Sequence, residues 1–108
     1  MTVKDLSVTD GFSPISLPEG EREIKGVYIG DLLSWVMGRA GADNAWITIM
    51  SNINTIAVAT LADTACIILA EGVVLDPEVK EAALAKNINV LTSPLTTYEI
   101  AVKLQSII

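Results

Sequence analysis

The 108-residue chain contains no histidine, a single cysteine and no long uncharged apolar run. Without histidine, imidazole acid–base catalysis and histidine-ligated metal sites are excluded. The lone Cys66 excludes an internal disulfide, and its setting in Ala-Cys-Ile-Ile-Leu predicts a small buried side chain and not a reactive thiolate. The longest apolar stretch, residues 55–70, contains Asp63 and falls short of the roughly 20 residues of a membrane span.

Basic residues and phosphate-binding motifs are also scarce. Seven Lys and Arg stand against 13 Asp and Glu, a net charge of −6, which disfavours nucleic acid as a partner. No G-x-x-x-x-G-K-[ST] or G-x-G-x-x-G motif occurs, and the carboxylates form no close pair for acid and base roles. We therefore expect a protein that is not an enzyme and needs no cofactor or metal. The N-terminus has no targeting signature, and we expect a cytoplasmic protein.

What the chain does have is an alternation of apolar β-type runs and helical runs, with 51% hydrophobic residues. The predicted strands cover residues 23–29, 45–50, 65–70 and 88–92, and the predicted helices cover 31–37, 53–62, 77–86 and 95–107. Residues 1–22 form an N-terminal segment with a helical turn at 3–6 and an edge strand at 12–17. Near-continuous apolar strands between helices indicate a single three-layer α/β/α domain over residues 1–108, with a mostly parallel sheet of four to five strands.

Local chemistry marks several helix ends. Asp76 before Pro77 predicts an N-cap followed by the first helical residue, and Ser93 before Pro94 repeats that arrangement. Gly38 and Gly41 predict the end of the first long helix and the loop after it.

Polar side chains follow three predicted strands where each strand ends. Parallel strands end at one edge of a sheet, where helix N-termini present free N–H groups, so we expect a concave ligand site there. The candidate residues are Ser51, Asn52, Asn54, Glu71, Gly72, Thr92, Ser93, Thr96 and Thr97. A purely structural alternative remains open, in which Ser51 or Asn52 caps the following helix and Ser93 caps the last one.

The sequence gives one interpretation of Trp46 and two of Trp35. Indole rings are usually buried, which places Trp35 and Trp46 in the core. Alternatively, Trp35 anchors an interface, because the apolar side chains of residues 32–37 cover more than one stripe of a short helix. The second reading predicts a homodimer that uses Leu32, Trp35 and Val36.

Residues 26–104 resemble the DRTGG domain family. The resemblance rests on GDLLSWVMGRA, the Asn-Ile-Asn corner before IAVA, and the tail NVLTSPLTTYEIAVKL. More distantly, the chain is similar to the N-terminal domain of HPr kinase/phosphorylase and to a regulatory segment of some phosphotransacetylases. The resemblance implies a mostly parallel α/β domain, usually a dimerising regulatory module, found between nucleotide-binding CBS modules in some inorganic pyrophosphatases.

This chain departs from the family signature at two places. Ser51 and Asn52 stand where many relatives carry Asp-Arg, and residues 70–72 read Ala-Glu-Gly where they carry Thr-Gly-Gly. A carboxylate at Glu71 would repel phosphate, so we expect it to select neutral or cationic groups such as a ribose hydroxyl, or to turn toward solvent. The sequence thus predicts a non-catalytic regulatory or sensory domain that binds a small metabolite or nucleotide. The alternative is a purely structural module that docks on a partner enzyme.

Overall fold

The computed structural model describes residues 1–108 and contains five helices and five strands, which alternate from β2 onward. The helices are α1 (Val3–Ser7), α2 (Leu33–Arg39), α3 (Ile53–Ala62), α4 (Pro77–Ala85) and α5 (Thr97–Ile107). The strands are β1 (Ser13–Ser16), β2 (Gly26–Ile29), β3 (Asn44–Thr48), β4 (Cys66–Leu69) and β5 (Val90–Thr92). None of the helices combines the length and apolar character needed to cross a membrane.

The strands form one sheet in the order β1-β5-β4-β3-β2. The strands from β2 to β5 are parallel, and β1 runs antiparallel to β5 at one edge. Pro14 lies in β1, where a missing N–H can face away from the ladder, and the register shifts between Pro14 and Ser16. The predicted mostly parallel sheet and the predicted edge strand within residues 12–17 are confirmed; the antiparallel direction of that strand was not predicted.

Each face of the sheet carries its own hydrophobic core. Helices α1 and α5 cover one face, around residues such as Leu6, Ile68 and Leu104, while α2, α3 and α4 cover the other. The central strands are buried on both sides, which explains their near-continuous apolar sequences. The predicted α/β/α layering is therefore confirmed.

Two predictions about single core residues are confirmed. Trp46 is completely buried, and its indole N–H donates a hydrogen bond of 2.8 Å to the carbonyl of Gly30. Cys66 is also completely buried, and burial raises the pKa of its thiol to about 12. A thiol with that pKa stays protonated at neutral pH and is not a nucleophile.

Helix α2 differs from its prediction in its bounds and in its burial. It begins at Leu33, continues through Gly38 and ends at Arg39, so Gly38 does not terminate it. Only Val36 is buried, and the Trp35 side chain is 53% exposed. The core reading is therefore wrong for Trp35. Val36 is wrong as an interface residue, because it is fully enclosed within the domain's own core.

Two predicted caps also need correction. Asp76 occupies the N-cap position of α4 and Pro77 the first turn, but the Asp76 side chain makes no capping hydrogen bond. Ser93 does not cap α5, because the helix begins later and Thr96 is its N-cap. Thr96 and Glu99 form a capping box, in which each side chain accepts a hydrogen bond from the backbone N–H of the other.

An ion-pair cluster around Arg22 holds the edge at which the parallel strands begin. The guanidinium donates hydrogen bonds to Asp43 at 2.8 Å and to the Asp63 side chain at 3.1 Å. It also bonds the Asp63 carbonyl, and the Asp43 N–H donates to the same oxygen. Asp43 and Asp63 both have positive φ, 64° and 57°, so Arg22 fixes two left-handed turns that precede β3 and β4.

A buried amide adjoins this cluster. Asn89 is 2% exposed, and its Nδ2 donates 2.9 Å hydrogen bonds to the carbonyls of Glu19 and Ala65. Its Oδ1 accepts a hydrogen bond from the Glu19 N–H. The loop before β2 is thereby tied to the start of β4, and none of these polar groups is left unpaired.

The Arg22 cluster predicts an acid-dependent loss of stability. The hydrogen bond from Arg22 holds the pKa of Asp43 below its usual range. Stability from this pairing is present above the unfolded-state pKa of about 4 and disappears as the pH falls through the lower folded-state pKa. We expect Asp43→Asn to be less stable than the wild type at pH 7, with the difference shrinking in acid.

Urea unfolding of both proteins at a series of pH values measures this difference. A suitable control is Glu21→Gln, which changes an exposed carboxylate 3.9 Å from Lys4 and should follow the wild-type profile. A stability difference between Asp43→Asn and wild type that stays constant from pH 7 into acid would contradict the assignment.

Candidate functional site at the carboxyl edge of the sheet

Backbone hydrogen bonds join the carboxyl ends of the four parallel strands side by side. Just beyond these ends, the Ala70 N–H donates to the Thr48 carbonyl at 3.0 Å, and the Ser93 N–H donates to the Leu69 carbonyl at 2.9 Å. The Gly30 N–H donates to the Ile47 carbonyl at 3.3 Å on the β2 side. These bonds place the carboxyl ends of β2 to β5 at one edge of the sheet, from which the polar segments after β3, β4 and β5 continue.

Asp31 organises the β2–β3 end of this edge. Its Oδ1 accepts hydrogen bonds from the Thr48 hydroxyl at 2.8 Å and from the Ile49 N–H at 3.0 Å. The Thr48 Oγ1 in turn accepts a hydrogen bond from the Met50 N–H. Sequence reasoning placed Asp31 in the first helix and missed this role, although an aspartate directly after a strand is a recognisable turn signal.

Asn52 caps α3, as the structural alternative predicted. Its Oδ1 accepts hydrogen bonds from the N–H groups of Asn54 and Thr55 at 2.9 and 3.3 Å. Asn52 and Asn54 are exposed, and Ser51 is half-buried beside them. These three residues flank the edge on the face covered by α2, α3 and α4.

The middle of the edge is a tight turn after β4. Glu71 and Gly72 have positive φ, 58° and 71°, and the Val73 N–H donates to the Ala70 carbonyl, which is the pattern of a type I′ turn. The N–H groups of Glu71 and Gly72 bond the carbonyls of Leu95 and Ser93 at 2.8 and 2.9 Å. The Glu71 side chain is exposed, in agreement with the expectation that it turns toward solvent.

Ser93 and Thr92 have less access to solvent than the sequence suggested. Ser93 is completely buried, and its Oγ accepts a hydrogen bond from the Leu95 N–H across Pro94. Thr92 is half-buried, and its hydroxyl lies 3.4 Å from the Val73 carbonyl. Ser93 shapes the loop and offers no free side-chain atom to a ligand.

On the opposite face, the start of α5 contributes the last candidate residues. Thr96 is exposed and Thr97 is half-buried. The backbone N–H and hydroxyl of Thr96 lower the pKa of Glu99, so this carboxylate stays ionised in the capping box. The candidate residues therefore share one edge, but they flank it from both faces and line no enclosed pocket. The expectation of a concave site is not met.

The charge at this edge is negative. The acidic residues in its loops and in the first helical turns beyond them are Asp31, Glu71, Asp76, Glu78 and Glu99. The loops at residues 30–32, 49–52, 70–76 and 93–96 contain no Lys or Arg, and Lys80 in the first turn of α4 is the one basic residue in the helical turns that follow them. This charge disfavours a bare phosphate and favours cationic groups. No group of three or more acidic, Cys or His side chains is arranged to hold a metal ion within the protein itself.

The Glu71 backbone predicts an unusual response to mutation. Left-handed φ costs a non-glycine residue about 1–2 kcal/mol, while a glycine loses about 0.5–1 kcal/mol of unfolded-state entropy. We expect Glu71→Gly to stabilise the protein by about 0.5–1 kcal/mol in urea unfolding. Glu71→Gln should change stability by less than about 0.5 kcal/mol, as for an ordinary surface substitution.

Glu71→Ala is the control for this prediction, because it removes the carboxylate without relaxing the backbone. If Glu71→Ala stabilises as much as Glu71→Gly, the gain comes from relief of charge repulsion and the strain argument is wrong.

Comparison with known proteins gives one family and one architecture. A family model described as the DRTGG domain matches residues 19–107. A comparison with curated proteins found no match. Among solved structures, the chain is similar to the CBS and DRTGG regulatory region of a Clostridium perfringens pyrophosphatase, in complex with its activator diadenosine tetraphosphate. The TM-score is 0.72 at 15% identity, and the alignment covers 93% of this chain but 44% of that one.

Proposed function

Since the chain belongs to the DRTGG domain family, we propose that it is a non-catalytic regulatory domain that dimerises and binds a small metabolite or nucleotide at the carboxyl edge of its sheet. The observation that carries the ligand proposal is the Glu71–Gly72 turn at the centre of that edge. Asp43, Asp63 and Asn87 also have positive φ, but Asp and Asn tolerate this conformation, and Glu71 is the one residue of another non-glycine type that adopts it. Such strain clusters at ligand-binding and switch sites. The nucleotide activator bound by the pyrophosphatase regulatory region makes nucleotides the first ligand class to test.

The ligand would meet hydrogen-bonding groups from both sides of the sheet. Asn52 and Asn54 present amides on one face, and Thr97 lies on the other with a half-buried hydroxyl, whereas the Thr96 hydroxyl is already bonded to Glu99. Glu71 between them suits a ribose hydroxyl or a cationic group. Because the loops carry no Lys or Arg, phosphates of a nucleotide would approach as a complex with Mg²⁺.

The alternative is a purely structural interaction module that docks on a partner enzyme and binds no small molecule. The absence of an enclosed pocket favours this alternative, as does the number of large apolar side chains left exposed.

A thermal-shift panel separates the two functions. AMP, ADP, ATP, acetyl phosphate, coenzyme A and diadenosine tetraphosphate would each be added with and without Mg²⁺. A ligand at 100 times its dissociation constant stabilises the folded state by about 2.7 kcal/mol, which raises the Tm of a domain this size by about 10 °C. We expect at least one nucleotide to do so and to require Mg²⁺.

The matched variants locate the binding. Glu71→Gln should weaken the shift, whereas Glu21→Gln at the other end of the sheet should leave it unchanged. If no compound raises the Tm, the ligand part of the proposal is wrong and the interaction module remains.

The dimer proposal rests on the exposed apolar side chains of α2. Leu32 is 59% exposed, Trp35 53% and Met37 48%, so this helix buries little within its own domain. A stable twofold interface removes roughly 1,200 Å² or more of total surface, and aromatic residues dominate the energetics of such contacts. Leu32 and Trp35 are the residues that we propose to lie in it.

Light scattering at micromolar concentration tests the dimer, and we expect twice the 11.5 kDa of the chain. Trp35→Ala should weaken association by at least about 2 kcal/mol. Tyr98→Ala, which removes an aromatic ring that is 78% exposed on α5, should not. A monomer mass for the wild type would exclude the dimer, and equal effects of the two variants would place its interface elsewhere.

A further inference from the structure

Helix α2 is the outermost helix of its layer. It packs against α3 and follows β2, which is the last strand of the sheet on that side. Two of its exposed apolar side chains, Leu32 and Trp35, are three residues apart and share one face of the helix. We call this face the α2 patch; Leu32 is 59% exposed and Trp35 53%.

Two opposite charges stand at the ends of this patch. Asp31 precedes the helix and Arg39 ends it, and each lies four residues from Trp35. Arg39 has no ion pair within the chain, and its guanidinium stacks 3.8 Å from the centroid of the Trp35 ring, which holds it over the patch. Asp31 uses one carboxylate oxygen, Oδ1, for Thr48 and Ile49, while its Oδ2 has no partner.

The α2 patch and the two charges at its ends are self-complementary. In a twofold contact, residue i of one copy meets residue j of the other and j meets i. When two copies of α2 lie antiparallel with the axis beside Trp35, Arg39 of each copy comes opposite the partner subunit's Asp31. Trp35 then faces its counterpart at the centre, where aromatic anchors contribute most. The two charges flank the apolar contact at its rim, where they set orientation and register.

We propose that the α2 patch binds a second copy of this chain through antiparallel α2 helices, with Trp35 at the twofold axis and reciprocal Asp31–Arg39 ion pairs at its two ends. This inference rests on the homodimer proposed above and adds its geometry. An unrelated partner would need an apolar face with a matching pair of opposite charges, whereas a second copy supplies both by symmetry. The contact also reaches the candidate ligand edge, because the Asp31 that pairs with Arg39 is the residue that holds the end of β3.

Sedimentation equilibrium of charge variants tests the pairing. Arg39→Glu places two carboxylates together at each end of the contact, and we expect the dimer dissociation constant to rise at least about tenfold. Lys86→Glu makes the same change of charge at the exposed C-terminal end of α4 and should leave the dissociation constant unchanged. Asp31→Asn preserves an acceptor for Thr48 and Ile49, and adding it to Arg39→Glu should recover part of the lost affinity by removing the repulsion.

Cysteine cross-linking tests the antiparallel direction. Cys66 is buried, so an introduced surface cysteine is the only reactive thiol. In the proposed geometry Leu32 lies across from the partner's Gly38, and a side chain at Gly38 would meet open space. Leu32→Cys mixed with Gly38→Cys should form a disulfide-linked dimer under mild oxidation, and neither variant should do so alone.

The outcomes separate the interface from the function. If the wild type is dimeric but Arg39→Glu associates as tightly, or Lys86→Glu is weakened equally, the α2 geometry is wrong and the dimer itself stands. If the mixed cysteine variants do not cross-link although each is dimeric, the antiparallel pairing is wrong. A monomeric wild type overturns the dimer and the α2 geometry together, and nucleotide binding is judged separately by the thermal-shift panel.

Discussion

The arrangement of the parallel strands depends on the pairing of the Arg22 guanidinium with Asp43 and Asp63. The guanidinium joins the turns before β3 and β4, although Asp43 and Asp63 lie 21 and 41 residues away along the chain. Asn89 adds a second tie between the loop before β2 and the start of β4. With the amino-terminal edge fixed by side chains, the opposite edge is held mostly by backbone hydrogen bonds and helix caps. The loops at that carboxyl edge can therefore vary in sequence while the sheet keeps its register.

The two edges of the sheet also differ in their charged residues. Cationic residues near the start of the strands, such as Arg22 and Lys25, lie close to carboxylates that neutralise them. The carboxyl edge has acidic side chains without cationic partners, together with the N-termini of α3 and α5. These helix ends favour negative charge and the carboxylates oppose it, and the metal-complexed nucleotide that we propose would satisfy both. Asp31 connects this edge with the α2 patch, so a ligand that moved the end of β3 would alter the proposed dimer contact.

The layers and most elements were predictable because they depend on local pattern. Buried strands such as β4 read as continuous apolar runs, and Asn52 signalled the start of α3. The start of α5 was misplaced because Ser93-Pro94 was interpreted as the helix start, whereas the helix is capped by Thr96 in a Thr96-x-x-Glu99 capping box. The Arg22 cluster and the burial of Ser93 depend on contacts between distant segments, and no local signal encodes them. Trp35 was ambiguous because an indole ring is suited equally to a core and to an interface.

The left-handed backbone at Glu71 has an evolutionary consequence. A glutamate codon becomes a glycine codon by one base change, and glycine is the residue that this conformation accommodates without strain. Drift at position 71 therefore runs toward glycine, and a carboxylate is retained only where selection opposes that drift. If orthologues retain Glu71, a negative charge is required at this position, because the backbone conformation alone favours glycine there.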